Sequence, residues 1–170
     1  MRYLIVGLLF LTSAFGQSSP ELSLKDAAGK TYSLSDYRGK VVVLNFWATW
    51  CGPCKQEMPI FTEAYKRYNQ RGLVILAASL DDERTRKYVP KFVQTFKMQF
   101  PVLVDATAVT MQQMGLGDSV PATLFFDENG NVVGKIIGQA NRKDVLARME
   151  RLLLHQGEQQ TRAQQSGRDR

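Results

Sequence analysis

The strongest structural signal in this chain lies in the segment Val41-Val42-Val43-Leu44-Asn45-Phe46-Trp47-Ala48-Thr49-Trp50-Cys51-Gly52-Pro53-Cys54. Its first six residues form an apolar, β-branched run that is typical of a strand covered on both faces, as in a parallel sheet. Apolar residues then recur at helical spacing, which predicts an amphipathic helix; they are Phe61, Ala64, Tyr65 and Tyr68. Pro53 suits the first turn of that helix, so the two cysteines stand where a buried strand passes into a helix.

The two cysteines make redox chemistry the expected function of this junction. They are the only cysteines among the 170 residues, and they form one C-x-x-C. A disulfide across so few residues restricts the unfolded chain very little, so it has little use as a structural crosslink. A structural zinc site needs four ligands, and the chain offers two sulfurs and one histidine, His155. We therefore expect no metal, and no cofactor other than the Cys51–Cys54 disulfide itself.

The position at a helix start predicts how the two sulfurs divide the reaction. The N-terminus of a helix carries a partial positive charge and free N–H groups, and both favour a thiolate over a thiol. The thiolate is the species that attacks a disulfide. We expect Cys51 to be exposed and to attack the substrate. Cys54, one turn into the helix, is expected to be more buried and to resolve the mixed disulfide.

The rest of the chain alternates between strand and helix patterns. Alternating apolar residues at 22–34 predict an early β-hairpin, and Asn129-Gly130 predicts a second hairpin between 122–126 and 132–137. Further strands are predicted at 73–78 and 102–104, and further helices at 83–97, at 107–114 and from Asn141 onward. This order predicts an α/β fold whose central strands are parallel and whose late hairpin is antiparallel.

The first residues of the chain predict export. Met1-Arg2 is a short positive segment, residues 4–11 are apolar, and Ala14-Phe15-Gly16 supplies small residues before a cleavage point at Gln17. We therefore interpret residues 1–16 as a signal peptide, and an uncleaved anchor is the alternative. The periplasm is the expected location, with the protein tethered to the membrane if the segment is retained.

The remainder divides into one domain and a tail. Residues 17–155 are predicted to form a single folded domain, and the composition of the whole chain, 44% hydrophobic and 22% charged, is ordinary for a globular protein. Residues 156–170 are polar, rich in Gln and without periodicity, which predicts a disordered tail. The net charge of +6 is not concentrated in a run of Lys and Arg. This pattern favours a solvated surface and argues against a nucleic-acid partner.

The cysteine motif resembles that of a known family. The segment Phe46-Trp47-Ala48-Thr49-Trp50-Cys51-Gly52-Pro53-Cys54 looks like the thioredoxin active site, and Lys55-Gln56-Glu57-Met58-Pro59 looks like its continuation in exported TlpA/ResA-type proteins. The resemblance extends from about residue 20 to residue 154. It implies a thioredoxin fold: a central mixed sheet flanked by helices, with an N-terminal β-hairpin and an inserted strand–helix around 101–114. It also implies thiol–disulfide exchange as the reaction.

Several residue roles are implied by the same resemblance. Glu57 matches a glutamate that accepts the proton of the second cysteine, a role for which burial must raise its pKa; an exposed helix glutamate is the alternative. Asn45 stands where thioredoxin has a buried, ionisable Asp. Val120-Pro121 resembles the family's cis-proline loop, against which a substrate chain pairs, and an ordinary trans proline is the alternative. The expected substrate-binding residues are Trp50, Gly52, Pro53, Val120 and Pro121.

The direction of the reaction and the partners are also implied by resemblance. Gly52-Pro53 is the thioredoxin dipeptide, which accompanies a reductant, whereas a strong oxidant stabilises its reduced form. We therefore expect a monomeric reductase of protein disulfides, for example those of apocytochrome c haem-binding cysteines. A reductant in an oxidising compartment requires electrons from elsewhere, which implies a donor in the membrane.

Two other functions remain as alternatives on the sequence. A thiol peroxidase of the peroxiredoxin type has a Thr three residues before its peroxide-attacking Cys, whereas Thr49 precedes Cys51 by two. A copper chaperone of the Sco type needs C-x-x-x-C and a distant His ligand. The spacing here is shorter by one residue, and His155 is badly placed for that role.

Overall fold

The computed structural model describes residues 21–168, so the signal peptide predicted for residues 1–16 lies outside the described residues. The strands are β1 Ser23–Lys25, β2 Thr31–Ser33, β3 Val41–Trp47, β4 Leu73–Ser79, β5 Val102–Leu103, β6 Ala122–Phe126 and β7 Val132–Ile137. The helices are α1 Gly52–Tyr68, α2 Val89–Thr95, α3 Ala108–Gln113 and α4 Arg142–Arg168. Both predicted hairpins and the inserted strand–helix, β5–α3, are confirmed.

Five strands form one mixed sheet in the order β5-β4-β3-β6-β7. β3 pairs with β4, and β4 with β5, in parallel, whereas β6 runs antiparallel to both β3 and β7. The early hairpin, β1–β2, is a separate antiparallel pair. The predicted α/β class, with parallel central strands and an antiparallel late hairpin, is confirmed.

The central strand β3 is covered on both faces, as its run of apolar residues, interrupted by Asn45, predicts. All seven of its residues are buried. Val43 and Trp47 belong to a core that α1, α2 and α4 cover, whereas Leu44 and Phe46 belong to a second core under the β1–β2 hairpin and α3. Because successive side chains of a strand point to opposite faces, Asn45 lies on the face that α1 covers.

The C-terminal segment differs from the sequence prediction. α4 continues to Arg168, so residues 156–168 are helical and not the disordered tail predicted for 156–170. Gln156 is buried and its amide donates a hydrogen bond to the Gly39 carbonyl, which extends the packed domain beyond residue 155. The side chains of 157–168 are exposed, and the Gln, Arg and Glu residues of this segment continue the helix because they cost little free energy in it.

Within residues 21–168, no helix is both long enough and apolar enough to cross a bilayer.

Candidate active site

A disulfide links the two cysteines at the start of α1. The sulfurs of Cys51 and Cys54 are 2.05 Å apart, and their Cα atoms are 5.3 Å apart. Cys51 is the N-cap of α1, and its Sγ accepts a hydrogen bond of 3.1 Å from the Cys54 backbone N–H. This donor is one of the free N–H groups of the helix N-terminus. After reduction, the same N–H would stabilise a thiolate on Cys51, which is the charge that the attacking sulfur must carry.

The burial of the two cysteines only partly follows the sequence prediction. Cys54 is completely buried, as expected, but Cys51 is also only 4% exposed, so the prediction of an exposed Cys51 is wrong. The cause is tertiary: the loop before β6 approaches the disulfide, and the Val120 carbonyl oxygen lies 3.7 Å from Cys51 Sγ. The disulfide sulfur carries no proton, so this approach is a contact and not a hydrogen bond. A substrate can therefore reach Cys51 only at the small part of its surface that stays accessible, here called the accessible edge of Cys51.

The predicted substrate-binding residues surround that edge. Trp50 is 59% exposed, and Gly52 and Pro53 are exposed beside it in the first turn. The Val120–Pro121 peptide bond is cis, as the resemblance implies; Val120 is half-buried, and Pro121 is buried. The structure therefore brings Val120 against Cys51 and leaves the side chain of the preceding residue, Trp50, exposed. Their role in substrate binding stays a prediction.

Glu57 lies one turn after Cys54 on the same side of α1. It is completely buried, which excludes the alternative of an exposed helix glutamate. Its Oε1 accepts a hydrogen bond of 2.8 Å from Asn45 Nδ2, and its Oε2 accepts one of 2.7 Å from the Ala140 backbone N–H. Burial raises the pKa of the Glu57 carboxyl above its ordinary value, although both hydrogen bonds act to lower it. A carboxyl group with a raised pKa is suited to exchanging a proton near neutral pH.

Asn45 connects Glu57 to the neighbouring strand. Its Nδ2 donates both to Glu57 Oε1 and, over 3.1 Å, to Thr123 Oγ1, which lies opposite on β6. Its Oδ1 is buried and has no hydrogen-bond partner within residues 21–168. This oxygen can therefore still accept a hydrogen bond beside the carboxyl group. If Glu57 becomes protonated, rotation of the Asn45 amide brings Oδ1 to the new O–H, so the neutral acid also has a partner.

A second buried carboxylate lies near the cysteines, and no pattern in the sequence singled it out. Asp81 follows β4, and its oxygens accept hydrogen bonds from Thr49, two residues before Cys51. Sequence reasoning also missed Thr123 and Ala140. Thr123 is detectable only through the strand register that pairs it with Asn45, and the backbone N–H of Ala140 has no signal in its side chain.

With this geometry established, comparison with known proteins identifies the family. The model of the AhpC/TSA family matches residues 15–135. The chain belongs to the AhpC/TSA family. Within that family it is 37% identical over 137 residues to the thiol-disulfide oxidoreductase ResA of Geobacillus thermodenitrificans, covering 81% of this chain and 77% of the relative.

Solved structures agree with this family assignment. The thiol:disulfide interchange protein DsbE from Chlorobium tepidum superimposes with a TM-score of 0.68 at 29% identity, covering 81% of this chain and 94% of that one. The exposed lipoprotein thioredoxin of Streptococcus pneumoniae gives 0.65 at 29% identity, covering 78% and 99%. This AhpC/TSA-family chain is accordingly a thiol–disulfide oxidoreductase with a thioredoxin-like fold and a Cys51–Cys54 redox pair.

Proposed function

We propose that this oxidoreductase reduces disulfides of exported proteins, with Cys51 as the attacking sulfur, Cys54 as the resolving sulfur and Glu57 as the proton acceptor. The observation that carries the proposal is the arrangement at the start of α1. There, Cys51 Sγ accepts a hydrogen bond from the Cys54 N–H, and the buried carboxyl group of Glu57 lies one turn after Cys54 along the helix. The Gly52-Pro53 dipeptide between the cysteines favours the reducing direction, because it accompanies reductants in the thioredoxin family.

The reaction balances over two exchange steps. The Cys51 thiolate attacks one substrate sulfur, so the substrate disulfide breaks, a mixed disulfide forms, and the other substrate sulfur leaves and takes up a proton. Cys54 then loses its proton to Glu57 and attacks Cys51 Sγ. This forms the Cys51–Cys54 disulfide and releases the second substrate sulfur, which takes the proton that Glu57 accepted. The enzyme supplies two electrons and the Cys54 proton, and the first substrate sulfur takes its proton from the solvent, which received one when Cys51 ionised.

Glu57 meets the physical requirements of a proton acceptor. Cys54 is completely buried, and burial in apolar surroundings opposes ionisation of a thiol. A nearby base that takes the proton as the sulfur attacks removes this obstacle. Glu57 is the buried carboxyl on the same helix face, and burial raises the pKa of this group toward the range in which it can both take and return a proton. Asn45 holds it in place through Nδ2.

The surface around Cys51 supports binding of an extended protein segment. Trp50 presents an exposed ring beside the sulfur, and Gly52 and Pro53 leave the first turn of α1 open. Val120 and Pro121 form the opposite side of the edge, where the backbone of a substrate chain can pair with the loop. Because these contacts involve mainly backbone and one aromatic ring, they suit several protein substrates.

The compartment and the partners complete the proposal. The pattern of residues 1–16 supports export to the periplasm, with retention at the membrane if the segment is not cleaved. One solved relative at 29% identity is named an exposed lipoprotein thioredoxin, which also supports action outside the cytoplasm. We propose that the protein works as a monomer, receives electrons from a membrane donor, and reduces apocytochrome c cysteines among its substrates.

Trapping the mixed disulfide tests the proposal. The Cys54→Ser variant cannot resolve it, so in cells substrates should accumulate covalently bound at Cys51 and be released by a reductant, and the Cys51→Ser variant should trap none. The reduction potential should lie near that of thioredoxin, roughly −270 mV. The proposal fails if no partner is trapped, if the potential lies near the roughly −120 mV of a strong oxidant, or if the protein turns over peroxide but no disulfide.

A further inference from the structure

Asp81 is a buried charge that the mechanism above does not use. It is 2% exposed and follows the C-terminal end of β4. The ion pairs observed within residues 21–168 use other carboxylates. A buried carboxylate without a cation is costly unless several donors solvate it. The position of Asp81 is therefore explained by the groups that donate hydrogen bonds to it.

The donors that solvate Asp81 belong to the segment before Cys51 and to the end of β4. Oδ2 accepts the Thr49 backbone N–H over 2.9 Å, and Oδ1 accepts the Thr49 hydroxyl over 2.5 Å. Oδ2 also accepts the Ser79 hydroxyl over 2.7 Å, and Ser79 Oγ in turn accepts the Asp81 N–H. Hydrogen bonds to a charged acceptor are about twice as strong as neutral ones, so Thr49 is held firmly by both its backbone and its side chain.

This attachment controls a short turn that ends at Cys51. The Leu80 N–H donates to the Trp47 carbonyl over 2.8 Å, which ties the start of the turn to β4. The Cys51 N–H donates to the Ala48 carbonyl over 3.2 Å, which closes the turn on itself. Between these two points, Asp81 accepts the hydrogen bonds that Thr49 donates through its backbone and its side chain.

We infer that Asp81 is a positioning residue for Cys51: by holding Thr49, it fixes the turn that carries the attacking sulfur and thereby favours the Cys51–Cys54 disulfide over the dithiol. Two physical effects act in the same direction. A fixed turn keeps Cys51 beside Cys54 and raises their effective concentration toward each other. The negative charge of Asp81, which is bonded to the residue two positions before Cys51, disfavours the thiolate of the reduced form. Both make the protein a better reductant.

Equilibration with reduced and oxidised glutathione tests this inference. In Asp81→Asn, the equilibrium constant for forming the Cys51–Cys54 disulfide should fall about tenfold, which is about 30 mV toward a more oxidising potential. Thr49→Val keeps the charge and the backbone N–H but loses one bond, so it should shift the constant in the same direction by less. Hydrogen exchange at the Thr49 amide should accelerate in Asp81→Asn.

The neighbouring residue supplies a matched control. Asp82 is also an acid of the same loop, but within residues 21–168 its carboxylate accepts hydrogen bonds from Arg84 and Thr85 and none from the turn that carries Thr49. Asp82→Asn should therefore leave the glutathione equilibrium within about twofold of the wild type.

Two outcomes would overturn the inference. In the first, Asp81→Asn lowers the melting temperature of both redox forms equally and leaves the glutathione equilibrium unchanged, which shows a merely structural role. In the second, Asp82→Asn shifts the equilibrium as much as Asp81→Asn, which shows that net charge and not position matters. If Asp81→Asn does not fold, Thr49→Val decides alone: an unchanged equilibrium refutes the role of the attachment. Because glutathione is the only partner, the result does not depend on Glu57, the direction in cells or the compartment.

Discussion

Replacing Glu57 by Gln separates the proposed role of this residue as proton acceptor from its contribution to the shape of the site. The glutamine side chain has the same size, and the unpartnered Oδ1 of Asn45 can accept a hydrogen bond from its amide after the Asn45 side chain rotates. The remaining amide oxygen still accepts the Ala140 N–H. We therefore expect the free energy of unfolding near neutral pH to change by only about 1 kcal/mol, since the bonds of residue 57 to Asn45 and Ala140 are replaced and the rotation gives up one bond, from Asn45 Nδ2 to Thr123 Oγ1.

The kinetic effect should be much larger. An ordinary thiol with a pKa of about 8.5 is only a few per cent ionised at pH 7, and burial of Cys54 reduces that fraction further. A positioned base contributes about 10²–10⁴-fold to a step that includes proton transfer. Because Cys54 is buried and no other acceptor is assigned to it, we expect resolution of the mixed disulfide by Cys54 to slow about 100-fold or more at pH 7.

A stopped-flow measurement separates the two exchange steps. The reduced protein is mixed with an aromatic disulfide that releases a coloured thiol first when Cys51 attacks and again when Cys54 resolves the mixed disulfide. Glu57→Gln should leave the first phase nearly unchanged and slow the second. Raising the pH should reduce the difference in second-phase rate between Glu57→Gln and the wild type, because Cys54 then ionises without a proton acceptor. Glu63→Gln, at a half-exposed position on the same helix, is the matched control and should behave like the wild type.

Two results would refute the reasoning. If the second phase of Glu57→Gln is as fast as that of the wild type at pH 7, Glu57 does not accept the proton. If the defect is equally deep at about pH 9.5, above the ordinary pKa of a thiol, the substitution has disturbed the geometry of Cys54 and not its ionisation.

The other predictions concern the same network and the C-terminal helix. Because the pKa of Glu57 is raised on folding, the folded state binds more protons than the unfolded state at pH values between the folded and unfolded pKa of Glu57. The stability of the wild type relative to Glu57→Gln should therefore fall as the pH rises through that window. Urea midpoints measured from pH 4 to 8 will show no such fall if the pKa of the carboxyl is not shifted. Asn45→Leu removes a hydrogen bond that lowers the Glu57 pKa, so the pH midpoint of the resolution step should move upward, and a downward move contradicts the network. Gln156→Ala should lower the free energy of unfolding by about 1 kcal/mol, because the hydrogen bond from Gln156 to the Gly39 carbonyl is lost. Truncation after Gly157 should change the free energy of unfolding by less, and thermal or urea unfolding of the two variants tests both expectations.

Much of the fold was predictable because its signals are local. The apolar run of β3 predicted a strand buried on both faces, and Asn129-Gly130 predicted the turn of the late hairpin. The C-terminal segment was predicted wrongly because its composition was interpreted as disorder. Gln and Arg are also good helix formers, and one contact of Gln156 with the loop at Gly39 shows that packing reaches beyond residue 155.

The site was predictable to a different degree for each residue. Cys51 and Cys54 are close in sequence and belong to one helix start, so their pairing needed no tertiary information. The burial of Cys51 was missed because the covering atom, the Val120 carbonyl oxygen, comes from a loop that is distant in sequence. Glu57 was selected through resemblance, but whether it is buried depended on the packing of α1 against β3.

Local sequence was therefore sufficient for the strand–helix junction, the redox pair and the order of the elements, because spacing and turn chemistry act over a few residues. Only the folded chain shows that Asn45, Thr123 and Ala140 surround one carboxyl group, and that Asp81 holds the turn before Cys51. These polar contacts join residues that are distant in sequence. Their side chains carry no pattern of their own, and the register of the sheet decides which of them meet.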